Sequence, residues 1–496
     1  MSVFLEFLMV ITRLSPPAQA SIALVSLISL WHLFLAPQAG LSVDEAHYAL
    51  YALKPDWSYF DHPPLVGWLQ IPFVWFSQHD WLTRLLPISL FALTQFLLYR
   101  LAFAFFPSAP AWLGFWTLAL TQLSLMFQLL GLAMLPEAPL MVFALLTLLT
   151  LIKLRQHPKL STWLWLGLWL GLAALSKYTA ITLALSIVLV ILIERRWDWL
   201  RSKGPWLAAL VALILILPVL HWNMQHDWLS FRYQLEHGTR DPHWSVLRAL
   251  GSQAAQFILY GPLLYLVGLG LMLTYVWRPS SYRLAALFTL PILLLFAYGS
   301  GHKLTLPHWT ALAWLFIAPV VAHWCLHQWS RFGVRLFAIG QGVFLLVLSL
   351  VLNLLLAMPW LVSAPNHPLQ DLYGWPQAYE KAQHWQQRIA STSGEVPALF
   401  VTNWTHASRL AWYAYPQPVY VTDTRFDQFD LWFGQPTAQT TGLLIVPAYA
   451  DDLRFGSPGH FARCELLERD NVHIRNTPII AFSLYLCHGY QPVSHD

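Results

Sequence analysis

Seven ionisable side chains crowd into residues 44–62: Asp44, Glu45, His47, Lys54, Asp56, Asp61 and His62. Only 10% of the chain is charged, so this gathering needs a reason. In "DEAHYAL", Asp44, His47 and Tyr51 stand at i, i+3 and i+7. A helix would put them on one face, with Glu45 and Tyr48 on the neighbouring one. Carboxylates at a bilayer surface cost desolvation energy unless they are paired or employed. The simpler alternative is a solvated loop in which the aspartate caps a helix. In "YFDHPPLVGWL", Pro63 and Pro64 fix φ and hold the residue before them extended. Asp61 and His62 are thereby stiffened ahead of an amphipathic segment, 65–77, expected to lie along the membrane surface; a plain turn is the alternative.

Further along, Lys177 and Tyr178 stand in "LSKYTA" between two apolar segments, where the lysine either snorkels or meets an anionic headgroup. His302, Lys303 and His308 in "GHKLTLPHW" repeat the pattern of cations at a segment end. Glu137 in "LPEAPL" opens an apolar segment, where the helix dipole alone would favour an acid. Carboxylates could take a proton from an attacking hydroxyl, and cations could hold the charge of a departing phosphate. A polyprenyl-phosphate sugar fits both: its phosphate sits at the membrane surface and its tail in lipid. The sequence shows neither a glycine-rich P-loop nor a dinucleotide fingerprint.

The elements that must position these groups are membrane helices. The chain has 496 residues, 57% of them hydrophobic, and a mean hydropathy of +0.51. About eleven apolar segments recur between residues 20 and 358, near the length a bilayer core needs. The pair within 161–194 is short enough for a re-entrant or tilted hairpin. The reading is an α-helical polytopic membrane protein of about eleven transmembrane helices. It adds outer-face juxtamembrane helices and a small C-terminal α/β domain. Basic connections alternate: "KLRQHPK" (153–159), "ERRWDWLRSK" (194–203), "RPSSYR" (278–283) and "RFGVR" (331–335). With Arg13 and Arg100 they fall on one side if all eleven segments cross, which makes that side and the N-terminus cytoplasmic. The first outer loop (41–82), the other polar blocks and everything after residue 360 then share the opposite face. A membrane domain, 1–359, and an outer α/β domain, 360–496, follow, with no cleavable signal peptide. In the tail, "DLYGWPQAYEKAQHWQQRIASTSG" reads as a helix closed by Gly394. "HASRLAWYAY" reads as a second helix, and "VPALFVT", "QPVYVTD", "TGLLIVPAY" and "IIAFSLYLC" as strands. Net charge +4 is too small and scattered for nucleic acid. Cys464 and Cys487 can pair if the tail is in an oxidising compartment; Cys325 reads as a buried hydrophobe.

Taken in order, "DEAHYAL", "FDHPPLVGWL", "LPEAPL", "GLAALSKYTA", "HWNMQHDWLSF", "HKLTLPHW", "LYGWPQ" and "RFDQFDLW" resemble the C-type membrane glycosyltransferases. The similarity is closest to the bacterial branch that holds dolichyl-phosphate-mannose protein mannosyltransferase-like enzymes and lipid A aminoarabinose transferases. The resemblance implies inverting transfer of a hexose or pentose from a polyprenyl-phosphate donor. The acceptor would be lipid A, a lipopolysaccharide core or another envelope glycan or lipid, on the periplasmic face of a bacterial inner membrane. Asp44 then matches a base or acceptor-orienting acid with Glu45 as partner. Asp61 and His62 match the pair before the double proline, near donor phosphate or a divalent ion; Asp61 is the option for a metal. Lys177 matches a donor-phosphate contact. The chain departs from the aminoarabinose enzymes at His62, where they carry lysine, and has Glu137 where many relatives have aspartate. An acceptor that is itself an ionised phosphate needs no base, which leaves Asp44 to position it. The alternative function is a lipid-linked sugar transporter or flippase, which would place ionisable residues at mid-membrane depth between broken helices.

Overall fold

The computed structural model describes residues 14–239, 243–451 and 460–492; Arg13, used above for orientation, lies outside them. The chain divides into two compact units. One takes the described parts of Met1–Leu33, Asp56–Leu69 and Arg84–Leu350. The other takes Phe34–Pro55, Gln70–Thr83 and the described parts of Val351–Asp496. The second unit therefore includes two stretches from inside the expected membrane domain.

The first unit is helical. Among the described residues seven helices are long and apolar enough to cross a bilayer: Pro16–Leu35, Asp80–Phe105, Glu137–Gln156, Gly204–Gln225, Ser281–His302, Pro307–Gln328 and Phe332–Ala357. Two bent pairs raise the count to nine if each is one span. They are Leu113–Leu123 with Leu125–Leu132, bent by 80°, and Val246–Tyr260 with Leu263–Tyr275, bent by 112°. The second bend falls at Gly261, whose φ of +98° favours glycine, followed by Pro262, which has no N–H for the helix ladder. Eleven spans were expected; two of the missing ones are the short helices Leu160–Ser176 and Tyr178–Ile193. Both fall below the roughly 20 residues a perpendicular crossing takes.

Small residues set the helix spacing that positions Lys177. A Cβ on Gly167 would come within 2.4 Å of the Ala208 carbonyl, and one on Gly171 within 2.5 Å of Leu215. Leu160–Ser176 and Gly204–Gln225 thus pack backbone to backbone, as helices in lipid do when small residues line their interface. The core between the helices is apolar, with Leu98, Leu101, Phe127, Leu145, Phe288 and Phe316 all buried.

The second unit contains a five-stranded sheet. Its strands are β1 (Ala398–Val401), β2 (Val419–Val421), β3 (Gly442–Pro447), β4 (Phe461–Ile474) and β5 (Thr477–Tyr490), in the order β2-β1-β3-β5-β4. β1 runs parallel to β2 and β3, while β3, β5 and β4 are antiparallel. The helix Trp375–Ser393 ends, as expected, on Gly394 with φ +77°. Trp404–Ala414 supplies the β1–β2 crossover. β4 was not expected: "FARCELLERDNVHI" is dense in charge, which suits an edge strand that must resist pairing with a neighbour. Cys464 and Cys487, cross-strand partners on β4 and β5, are joined by a disulfide.

Candidate active site

Within the first unit, three helix ends bring charge together. Glu137 is the first residue of its helix, behind Pro136 and with Pro139 in the first turn, where missing N–H groups cost nothing. Lys177 follows the last residue of Leu160–Ser176 in an extended conformation (φ −158°, ψ 141°), and its side chain is buried. Its Nζ donates to Glu137 Oε1. His308, in the turn Pro307–Thr310, places Nε2 3.8 Å from the same oxygen. Glu137 Oε2 is buried without a hydrogen-bond partner among the described residues. The result is a buried carboxylate with a lysine and a histidine beside one oxygen and the other oxygen in reserve.

The "YFDHPP" stretch is fixed beside this cluster by contacts from distant segments. Gln234 Nε2 donates to the Asp61 carbonyl (2.6 Å), Ser230 Oγ to the Tyr59 carbonyl (2.7 Å) and Trp222 Nε1 to Asp56 Oδ2 (3.0 Å). Asn223 Oδ1 accepts from the Ser230 N–H (3.2 Å), and Ser58 Oγ lies 3.4 Å from Tyr178 Oη. His62 Nδ1 stands 3.2 Å from Asp61 Oδ2, and His62 is near enough to Glu137 to act on it electrostatically. Pro63 and Pro64 are buried, and Pro64 leads into the short helix Leu65–Trp68. The expected surface helix 65–77 is two pieces, Leu65–Trp68 and Ile71–Phe76, with Trp75 and Phe76 exposed. His302 ends the helix Ser281–His302, and Lys303 after it is exposed. Neither is in the Glu137 ion cluster. Sequence reasoning missed Asn223, Ser230 and Gln234 as the clamp on residues 59–61; the block "HWNMQHDWLSF" holds the first two, and Gln234 lies just beyond it.

Asp44, Glu45, His47 and Tyr48 stand in the second unit, on the helix Val43–Leu53. The cap is Ser42, not Asp44. The Glu45 N–H donates to Ser42 Oγ (3.4 Å), and the Ser42 N–H donates to Glu45 Oε2 (3.0 Å), a closed capping box. Tyr48 is buried, its carbonyl accepting from Gln70 Nε2 (3.0 Å). Asp44 is half-buried in the first turn. His47 is buried among Tyr51, Trp404, Phe429 and Trp432. Ser408 Oγ donates to the Trp404 carbonyl (2.8 Å), so it accepts from His47 Nδ1 (3.1 Å), which places that proton on Nδ1. Asp80 accepts from Trp412 Nε1 and Tyr413 Oη, both at 2.7 Å. Asp427, the cap of the helix Gln428–Phe433, is pushed up to about 7 by burial, and its Oδ2 has no partner among the described residues.

Among the described residues no three His, Cys, Asp or Glu side chains are grouped as a metal would need, Asp61 included.

Three comparisons bear on these residues. The family model described as dolichyl-phosphate-mannose-protein mannosyltransferase matches residues 61–222, a stretch that contains Asp61, His62, Glu137 and Lys177. A relative from Rhizobium johnstonii, lipid A galacturonosyltransferase RgtD, is 26% identical over 338 residues, covering 65% of this chain and 68% of its own. The fold is similar to the crystal structure of ArnT from Cupriavidus metallidurans in the apo state. The TM-score is 0.59 at 15% identity, over 93% of this chain and 97% of that one. The same protein bound to undecaprenyl phosphate gives 0.57 over the same shares. The chain is thus similar in sequence to a dolichyl-phosphate-mannose-protein mannosyltransferase family model and to a lipid A galacturonosyltransferase, and its fold is similar to that of ArnT.

Proposed function

We propose that the chain transfers a sugar, with inversion, from a polyprenyl-phosphate donor to an envelope lipid or glycan, lipid A first among them. The observation that carries this is the buried Glu137–Lys177–His308 cluster. Glu137 gives Lys177 a counter-charge and aims it, and the lysine retains further N–H donors for a phosphate. The names of the relatives agree: one acts on lipid A, and the fold neighbour has been crystallised with undecaprenyl phosphate.

In this reading the acceptor oxygen attacks the anomeric carbon from the face opposite the phosphate. The bond from that carbon to the phosphate oxygen breaks, and the phosphate leaves with the electron pair. Lys177, His308 and His62 take up the charge released, and Tyr178 and Pro63–Pro64 hold the segment that carries His62. Asp44 accepts the proton of a hydroxyl acceptor, or orients an acceptor that is already ionised. Glu45 acts through the helix cap. Asp61 orients His62. Tyr48 and His47 belong to the acceptor side, and His302 and Lys303 to the lipid surface.

We place the chemistry on the periplasmic face of a bacterial inner membrane, with the N-terminus in the cytoplasm. The Cys464–Cys487 disulfide supports this, since such bonds persist in oxidising compartments. Eleven crossings are reached if both bent pairs and both short helices cross. Residues 1–359 then form the membrane domain and 360–496 the periplasmic one. Mass spectrometry of envelope lipids with and without the gene tests the proposal. A hexose, uronate or pentose increment lost with the gene is expected. An unchanged envelope, with transbilayer movement of a polyprenyl-phosphate sugar in acceptor-free liposomes, would show a flippase instead.

A further inference from the structure

On the helix that holds His47 in place stands Arg409, whose side chain is only 7% exposed. A guanidinium is always charged and offers five N–H donors, and buried charges are as a rule fully paired. Arg409 is not. Nη1 reaches the Thr405 carbonyl at 3.5 Å and Nη2 reaches Asp371 Oδ2 at 3.4 Å, both beyond ordinary hydrogen-bond length. Nε is buried and has no hydrogen-bond partner among the described residues. The Trp375 ring lies 5.7 Å from Cζ and gives the cation an aromatic face.

The counter-charge is the reverse case. Asp371 is 46% exposed, so water competes for its carboxylate. It belongs to the turn Gln370–Leu372, where its carbonyl accepts from Trp375 Nε1 (2.9 Å). Tyr449, also well exposed, brings its hydroxyl to the same carboxylate. His406, bonded to Thr402 Oγ1 (2.8 Å), is held down to about 4 by burial and the Arg409 charge. It is neutral at pH 7 and supplies no second cation. The cluster therefore joins an under-satisfied buried guanidinium to a carboxylate that solvent can reach.

We propose that Arg409 binds an oxyanion of the acceptor, a phosphate or a carboxylate, which displaces the Asp371 side chain and takes two parallel N–H bonds from the guanidinium. Tyr449 Oη serves as the further donor. The transferase reading above supplies the word acceptor; the oxyanion site stands on the geometry. A planar fork facing a two-oxygen group is the arrangement in which arginine binds best.

The test uses the whole chain in detergent, with thermal unfolding read against inorganic phosphate, N-acetylglucosamine 1-phosphate and uncharged N-acetylglucosamine. Phosphate and the sugar phosphate should stabilise the wild type, and N-acetylglucosamine should not. Asp371→Asn removes the competing carboxylate and should tighten phosphate binding by roughly fivefold or more. Arg409→Gln should abolish it. If Arg409→Gln fails to fold, Asp371→Asn decides alone, because a merely structural ion pair predicts no gain in phosphate affinity. In transfer assays Arg409→Lys should raise KM for a phosphorylated acceptor about tenfold with kcat held. The difference should vanish with a dephosphorylated acceptor. Any of three results overturns the proposal: no phosphate-dependent shift, a shift that persists in Arg409→Gln, or competition by anionic phospholipid vesicles with equal KM for both acceptors. Binding is read without turnover, so failure here and failure of the transferase reading are told apart.

Discussion

Glu45 and Glu137 are buried to nearly the same degree, 3% and 2% exposed, each in the first turn of a helix. Composition and position do not separate them; their partners do. Glu45 closes a capping box with Ser42, three residues before it in the chain. Glu137 meets Lys177 and His308, from segments forty and more residues away, and still has an unpartnered Oε2. A buried acid that caps its own helix serves the architecture. A buried acid that holds distant cations in a helix-end cluster is set up to hold charge for something else.

The comparison can be broken by mutation. Lys177→Met should give the largest effect, a loss of transfer of about a hundredfold or more. It should also destabilise by about 3–5 kcal/mol, because Glu137 is left buried and unpaired. Lys177→Met with Glu137→Gln should recover most of that stability and none of the activity, as read by unfolding and sugar transfer side by side. Asp44→Asn should cost about 10²–10⁴ in rate if the acceptor is a hydroxyl, with the fold intact. Glu45→Gln should act through the helix cap: about 1 kcal/mol of stability and less than a tenfold loss of transfer. A hundredfold loss there would put Glu45 in the chemistry and dissolve the contrast drawn above.

A smaller effect concerns pH. Asp427 is held protonated by burial, its pKa raised from 3.8 to about 7. Between those values the folded chain binds a proton that the unfolded chain has released, so stability falls as pH rises through that window. Asp427→Asn, which keeps the cap, should flatten this part of the melting-temperature profile. An identical slope in wild type and variant would show that Asp427 is not the group responsible.

Much of this was legible in the sequence, for physical reasons that can be named. Helices follow apolar runs, and Gly394 closed a helix because a left-handed cap favours glycine. Pairing of Glu137 with Lys177 was not legible, since no local pattern links residues forty apart. β4 was hidden because Arg463, Glu465, Glu468, Arg469 and Asp470 give an exposed edge strand the composition of a loop. The bends within two of the apolar segments were not legible, because hydropathy does not report a break such as the one at Gly261–Pro262. Asp44 offers itself as a cap because aspartate is a good cap residue, but Ser42 takes the role instead.

The account rests on Lys177 holding the charge of a leaving phosphate. Its most direct test is transfer by purified protein in proteoliposomes, with a polyprenyl-phosphate-linked sugar and lipid A, comparing wild type with the Lys177→Met, Glu137→Gln double variant. The account predicts a sugar-bearing product from the wild type and a rate lower by about a hundredfold from a variant that stays folded. Equal rates from the two would contradict it.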